Sequence, residues 1–386
     1  MRRRRGGEEG MSVGNVDRPE VDPRSAMPFE VYSVEFSFPG SGAIPLKHHA
    51  LSAPTPPSNS YESGGLLTSF LGGTTVPIPE YITGVRSEPA AFLIVTRPRI
   101  RAVFRKLSAD AEGSYTIGAV GGFGGLLENP AYLQFPVSEL SEPIEFDLAQ
   151  PLPSGIGRFE FALDWTARGS DGLPRPIGST QHTVYTLLDR PVAPWDVETP
   201  WIAALDLACE WAAGAMTKDA VAEAITRGLN SHPLLRYHGA TTFDWSVYLL
   251  SNFLWLLDRG GVFHLNCTDC ANAVVTLANL LGCNLYEGRV FDLTTRRFLK
   301  LAGNAGVDAD WVSYEWNYHE IAWLEGVGPK SCVYDSCLHV DADVNDEDLL
   351  RVPRLPVRMP FPEYRDLLVA KGPCAPTRAP TRRPVA

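Results

Sequence analysis

The chain has 386 residues, 45% of them hydrophobic and 20% charged, with nine Trp. That excludes a wholly disordered chain and leaves enough length for two or three domains without disulfides or metals to hold a core. The net charge of −11 makes a phosphate-backbone binder a poor fit, so nucleic acid is not expected as a partner.

The charge is unevenly placed. Residues 1–27 carry six Arg against five acids, and residues 349–386 carry seven Arg and one Lys against two acids, so the body between them holds the acidity. Seven Cys, an odd number, do not read as a disulfide framework and suggest a reducing, cytoplasmic setting. Arg2 to Arg5 are followed by Gly and Glu rather than an apolar stretch, so no secretion signal is expected there. No apolar run reaches the ~18 residues of a spanning helix, and no membrane contact is expected.

In chain order, residues 1–27 are expected to be disordered. Residues 28–190 then show short β-branched and aromatic runs at Phe29 to Phe38, Ala91 to Thr96, Ile100 to Leu107, Ser114 to Val120, Pro143 to Leu148, Gly157 to Trp165 and His182 to Leu188. Gly, Pro and Ser clusters bound them, which predicts an antiparallel β-sandwich. Residues 50–88, dense in Pro, Ser and Gly, predict a long loop. Pro191, Pro194 and Pro200 make 191–200 a linker.

Beyond it the period turns helical: Trp201 to Ala215, Lys218 to Leu229 with Thr217 as N-cap, Asp244 to Leu257, and a buried helix over Asn266 to Leu281 stopped by Gly282. Strand-like runs follow at Leu285 to Leu299, Trp311 to Leu324 and Cys332 to Tyr334, with a short helix near Asp346 to Arg351. Helices followed by strands predict an α+β domain over 201–350. The Pro- and Arg-rich stretch 351–386 is expected to be a solvated tail.

Three segments carry chemistry: Asn266-Cys-Thr-Asp-Cys-Ala271 opening the buried helix, Asn317-Tyr-His-Glu-Ile-Ala-Trp323 on one strand, and Val333-Tyr-Asp-Ser336 on the next. A Cys in the first turn of a helix sits beside unpaired N–H groups and the positive end of the dipole, which favours a thiolate and supplies an oxyanion donor. A His on a neighbouring strand can pair with that thiolate and later protonate a leaving amine. An Asp one strand further on can orient the imidazole. Cys267, His319 and Asp335 are therefore the candidate nucleophile, acid/base and orienting residue. Asn266 is the expected N-cap, and Cys270, one turn deeper, is expected to pack.

The helix Cys-Thr-Asp-Cys-Ala-Asn-Ala-Val-Val-Thr-Leu-Ala-Asn-Leu-Leu-Gly, residues 267–282, resembles the core motif of the transglutaminase-like (papain-like cysteine protease) superfamily. His319-Glu-Ile-Ala-Trp323 resembles its second motif and Tyr334-Asp335 its third. The resemblance covers about residues 200–345. It implies a papain-like fold, a Cys267, His319, Asp335 triad, acyl transfer at a protein or peptide amide, and no cofactor or metal. The Cys267 N–H is the first oxyanion donor it suggests, with Asn266 or Trp255 as the second. Cys270 departs from the pattern, where an aromatic residue is common.

Other readings stand beside this one. The fold could serve as a non-catalytic binding module. Cys267 and Cys270 could form a Cys-x-x-Cys redox pair. Cys267, Cys270, Cys332 and Cys337, with His264 and His339 nearby, could hold zinc. The acidic run Asp341 to Asp348 lacks the Gly and the Glu of an EF-hand loop and reads as a solvated cap. Trp311, Tyr314, Trp316, Tyr318 and Trp323 read as sheet core, with Trp316 or Trp323 able to wall a cleft.

Overall fold

In β11 (Gly157–Arg168) the apolar residues Leu163, Trp165 and Ala167 recur at every second position and are buried, as a half-buried strand requires. This strand pairs antiparallel with β12 (Pro174–Leu187) along its whole length. Where Trp165 meets Gly178 the register shifts. Gly178 has φ +133°, and a Cβ there would lie 2.8 Å from Val31 Cγ1, so only glycine fits. The indole N–H of Trp165 donates to Thr180 Oγ1 at 2.9 Å, which satisfies the polar edge of a fully buried ring.

The structure, a computed structural model, describes residues 26–49, 51, 73–135, 138–237, 243, 247–295, 299–301, 315–341, 352–371, 374–376 and 381–386. It is a mixed α+β protein built mostly of strands, with five α-helices among the described residues.

The first half contains, with β11 and β12, the strands β1 (Phe29–Glu35), β2 (Lys47–His49), β3 (Gly73–Thr75), β4 (Tyr81–Ile82), β5 (Arg86–Ser87), β6 (Ala90–Leu93), β7 (Arg99–Lys106), β8 (Gly113–Gly121), β9 (Leu126–Leu133) and β10 (Ile144–Asp147). One five-stranded sheet has the order β10-β7-β1-β4-β5, the other β6-β12-β11-β8-β9. Their apolar faces share one core: Phe104 from the first and Trp165 from the second meet edge to face, centroids 6.1 Å apart. The expected 50–88 loop holds β3, β4 and β5 in its described part, and β9 is a strand the sequence reading missed because Pro130 interrupts its pattern.

The second half runs α1 (Ile202–Trp211), α2 (Lys218–Asn230), β13 (Leu235–Tyr237), α3 (Leu250–Asp258), β14 (Phe263–Leu265), α4 (Cys267–Leu280), β15 (Leu285–Thr295), β16 (Leu299–Leu301), β17 (Glu315–Leu324), β18 (Cys332–Tyr334), β19 (Leu338–Asp341), β20 (Pro353–Arg354), β21 (Met359–Pro360), α5 (Phe361–Leu368), β22 (Val369–Lys371) and β23 (Ala375–Pro376). Thr217 caps α2 as expected, its hydroxyl accepting from the Ala220 N–H. Helix α3 begins six residues later than the Asp244 expected from sequence. Trp311, Tyr314 and the short helix near Asp346 to Arg351 fall outside the described residues. No described helix is long and apolar enough to cross a membrane.

Two expectations from composition change. The Pro-rich stretch 191–200 is not a free linker but part of the core: Trp195 is buried and its indole N–H donates to Thr276 O on α4 at 2.8 Å, and the Asn279 side-chain amide donates to Ala193 O at 2.8 Å. The core around α4 takes in Tyr185 and Leu187 of β12 as well as Trp195 and Trp201, so the two halves share apolar packing. The described part of 351–386 is likewise packed. Strands β22 and β23 pair with β15, and residues 381–386 lie along the domain, with Val385 bridging Tyr248 and Thr381 bridging Glu287. Basic residues there find acidic partners in the body, as Arg383 does with the buried Glu287 at 3.4 Å.

Candidate active site

Every residue of α4 is buried, so this helix is central. Its start is set by a reciprocal cap: Asn266 Oδ1 accepts the Asp269 N–H at 3.0 Å, and Asp269 Oδ2 accepts the Asn266 N–H at 3.3 Å. The other Asp269 oxygen accepts from the Phe243 N–H at 2.9 Å. Cys267 is thereby the first helical residue, where backbone N–H groups have no intrahelical acceptor. It keeps 7% exposure against 2% for Cys270.

The second residue of the helix ties it to β17. Thr268 Oγ1 donates to Glu320 Oε2 at 2.8 Å, and Arg289 Nε on β15 donates to the same oxygen at 3.0 Å while its guanidinium lies 4.4 Å from the Tyr318 ring centre. Thr268, Glu320 and Arg289 were not singled out from sequence, because their link runs between three elements.

His319 lies on β17, one residue before Glu320. Strands β17 and β18 are antiparallel with Ala322 opposite Tyr334. Continued past Tyr334, that register sets position 337 against His319, and Asp335 two residues away on the same face. This is why a 16-residue spacing joins a His to an Asp. The imidazole Nε2–H donates to Asp335 Oδ2 at 2.8 Å, with both side chains buried. Asp335 takes two more bonds, from the Tyr364 hydroxyl to Oδ2 and from the Cys337 N–H to Oδ1, each 2.8 Å. Asn230 on α2 holds the same turn by donating to Ser336 O at 2.9 Å. The Trp316 ring stacks on the imidazole at 4.5 Å and 20°.

With Nε2 used by Asp335, Nδ1 is the ring nitrogen left for another partner; it is buried without a hydrogen bond of its own, and the Cys267 thiol lies near enough to favour the charged ring. Burial works against an imidazolium here, but the Asp335 carboxylate and Cys267 outweigh it and His319 is pushed up to about 10. The charged ring persists through neutral pH. Its contribution to stability is complete below the ~6.5 of an unfolded histidine and is lost as pH rises through about 10.

The Asn266 side-chain oxygen is used by the helix cap, which leaves its NH₂ as the group able to donate. Trp255 lies on α3 with the Arg259 guanidinium 5.4 Å over its ring. A phenol that sequence reading missed, Tyr237, is brought near instead: β13 and β14 are parallel with Tyr237 against Leu265, two residues before the nucleophile. Burial first, then the charges of Cys337, Cys267, Cys270 and Asp335, hold this hydroxyl protonated. A three-residue strand carries too little periodicity to be noticed in advance.

All seven cysteines are free thiols. The four-cysteine zinc set is not assembled, since Cys332 lies among Asp219, Arg358 and Glu363 while Cys337 meets Cys270. The closely spaced set of ligand-type atoms among the described residues is His319, Asp335 and Cys337, within 4.8 Å of one another. A cleft of about 830 Å³ between the start of β11 and the end of α1 includes Ile156, Asp206 and Gly214 and none of these residues.

Tyr364 was also missed. It lies in the stretch expected to be a tail, although Phe361, Tyr364 and Leu368 sit at helical spacing behind Pro360. Tyr364→Phe is expected to lower stability by about 1.5–3 kcal/mol, the worth of a buried hydrogen bond to a charged group. A denaturant titration checks it, and an unchanged midpoint would mean that the bond is not formed.

No family model matches this chain, and no curated protein matches it. Among solved structures it is similar to the transglutaminase of red sea bream, with a TM-score of 0.35 and 14% identity over 69% of this chain and 51% of that one. A Niemann-Pick type C2 protein from the Japanese carpenter ant gives a TM-score of 0.15 and 14% identity over 26% of this chain and 81% of that one. The chain thus spans about half the length of the transglutaminase. The functional reading rests on this chain's own side chains and on neither likeness.

Proposed function

We propose that the chain is a cysteine-dependent acyl-transfer enzyme of the transglutaminase-like kind, acting on an amide of a protein or peptide. The observation that supports it is the His319 to Asp335 bond of 2.8 Å with Cys267, the first residue of α4, near enough to act on the charge of the ring. In this reading the Cys267 sulfur attacks the amide carbonyl, and the oxyanion is met by the Cys267 N–H at the helix N-terminus. His319 gives its Nδ1 proton to the departing amine, leaving a thioester. Water or a second amine, deprotonated by the same nitrogen, then releases the acyl group. Asp335 keeps Nε2 protonated throughout, so that Nδ1 is the nitrogen that exchanges protons.

The thiol provides a test that needs no substrate. A free cysteine of pKa ~8.5 is only ~0.3% ionised at pH 6. Beside the His319 imidazolium, Cys267 is expected to be alkylated by iodoacetamide already at about pH 6. Cys374, which composition placed in a free tail, is buried and pushed up to about 11 by that burial, so it should stay unlabelled. Labelling of Cys267 that begins only above about pH 8 would defeat the ion pair. Turnover should also fall as pH rises through about 10, where His319 loses the proton that the leaving amine needs. Incubation with a peptide library and intact-mass detection of a thioester on Cys267 tests the reaction itself.

A further inference from the structure

Acyl transfer needs one thiol, yet three meet at the start of α4. Cys270 lies one turn below Cys267, and Cys337, two residues after Asp335, is hydrogen-bonded to it. The Cys337 sulfur also lies within 4.8 Å of a His319 nitrogen and an Asp335 oxygen. Exposure falls along the series, 7% for Cys267, 2% for Cys270 and 0% for Cys337.

We propose that these three residues form a peroxide-responsive modification site, in which Cys267 is oxidised by a hydroperoxide and captured by Cys270 as a disulfide. It rests on the thiolate at Cys267 assumed for acyl transfer. In the first step the Cys267 sulfur attacks the outer peroxide oxygen. A sulfur–oxygen bond forms, the oxygen–oxygen bond breaks, and the leaving alkoxide or hydroxide takes a proton from His319. Cys267 is then a sulfenic acid. In the second step the Cys270 sulfur attacks that of Cys267. A sulfur–sulfur bond forms and the hydroxide leaves as water with the Cys270 proton. Two thiols are oxidised and one peroxide is reduced.

The geometry favours Cys270 as the capturing thiol. Side chains three apart on a helix have Cβ atoms about 5–6 Å apart, against the ~3.8 Å of a disulfide. The first helical residue can close that gap because its N–H takes no part in the intrahelical ladder. Burial pushes the Cys337 thiol well up, and its hydrogen bond to Cys270 adds to this, so Cys337 stays protonated and is the donor. Cys337 therefore orients the Cys270 sulfur without competing for the oxidised one. Cys209 and Cys283, both pushed up to about 12 by burial, lie outside this cluster.

The test uses the full chain and hydrogen peroxide as probe. After treatment, the wild-type peptide carrying Cys267 and Cys270 should be about 2 Da lighter, and dithiothreitol should restore both its mass and its iodoacetamide labelling. In Cys270→Ser, Cys267 should instead be trapped by dimedone when it is present, and without dimedone should become about 32 Da heavier, beyond rescue by dithiothreitol. In Cys337→Ala, the disulfide should form about tenfold more slowly. Wild-type Cys267 that reaches the sulfinic acid as fast as in Cys270→Ser overturns the proposal, and so does a disulfide joining Cys337 to Cys267. Labelling at about pH 6 without any disulfide would overturn this proposal and leave the acyl-transfer reading standing, whereas absence of that labelling would overturn both.

Discussion

Cys267→Ala is expected to abolish acyl transfer, a loss of roughly 10⁴-fold or more, while the protein stays folded. Cys270→Ala should keep turnover within about threefold and cost about 1 kcal/mol of stability. The difference comes from three positions on one helix. Cys267 is the first residue after the Asn266 cap, with the imidazole beside it and free backbone N–H groups around it. By Cys270 the intrahelical ladder has begun, its N–H donating to Asn266 O at 3.0 Å, and the side chain is packed away. Removing the Cys267 sulfur takes away the bond-forming atom and only a small side chain at the edge of the core. Thioester formation, followed by mass, and thermal unfolding of both variants separate the two effects. Loss of chemistry in Cys270→Ala alone would move the nucleophile by three residues.

The second large effect is at Asp335, where Asn should lower turnover by about 10²–10⁴-fold. Both Asp335 oxygens accept hydrogen bonds: Oδ1 from the Cys337 N–H, Oδ2 from the His319 Nε2–H and the Tyr364 hydroxyl. An Asn presents one oxygen and one NH₂. With the NH₂ toward Cys337 it faces a backbone N–H that cannot reverse, so the NH₂ turns toward His319, where the Tyr364 hydroxyl can reverse and accept. Nε2 must then give up its proton, and Nδ1 carries it as a neutral imidazole. That tautomer has no ion pair to offer Cys267 and cannot take a proton at Nδ1. The same substitution should therefore suppress alkylation of Cys267 at about pH 6 as well as turnover. A variant that keeps both, and only melts earlier, would make Asp335 a structural turn residue.

What could be read from the sequence shares a physical basis, which is short range. The start of α4 was legible because a cap is a contact across three residues, from Asn266 to Asp269, and its end because Gly282, at φ +91° with a would-be Cβ 2.5 Å from Asp189 O, can be only glycine. The alternation of β11 was legible for the same reason. So was the His319 to Asp335 spacing, since one antiparallel turn between adjacent strands is nearly local.

Whatever joins distant segments had to await the tertiary structure. Composition made 191–200 a linker and 351–386 a tail, yet Trp195 fills the core against α4 and Tyr364 bonds to Asp335. Proline and arginine describe how a segment behaves in water, and neither shows which surface waits to cover it. Tyr237 and Cys337 reach the nucleophile, and Arg289 reaches Glu320, across 30, 70 and 31 residues of chain. Such pairings depend on the packing of whole helices and sheets, whereas periodicity reports only which face of an element is buried. Sequence alone thus pointed to the three residues proposed for the chemistry. Tertiary packing decided what surrounds them: the phenols, the other two thiols and the buried charges.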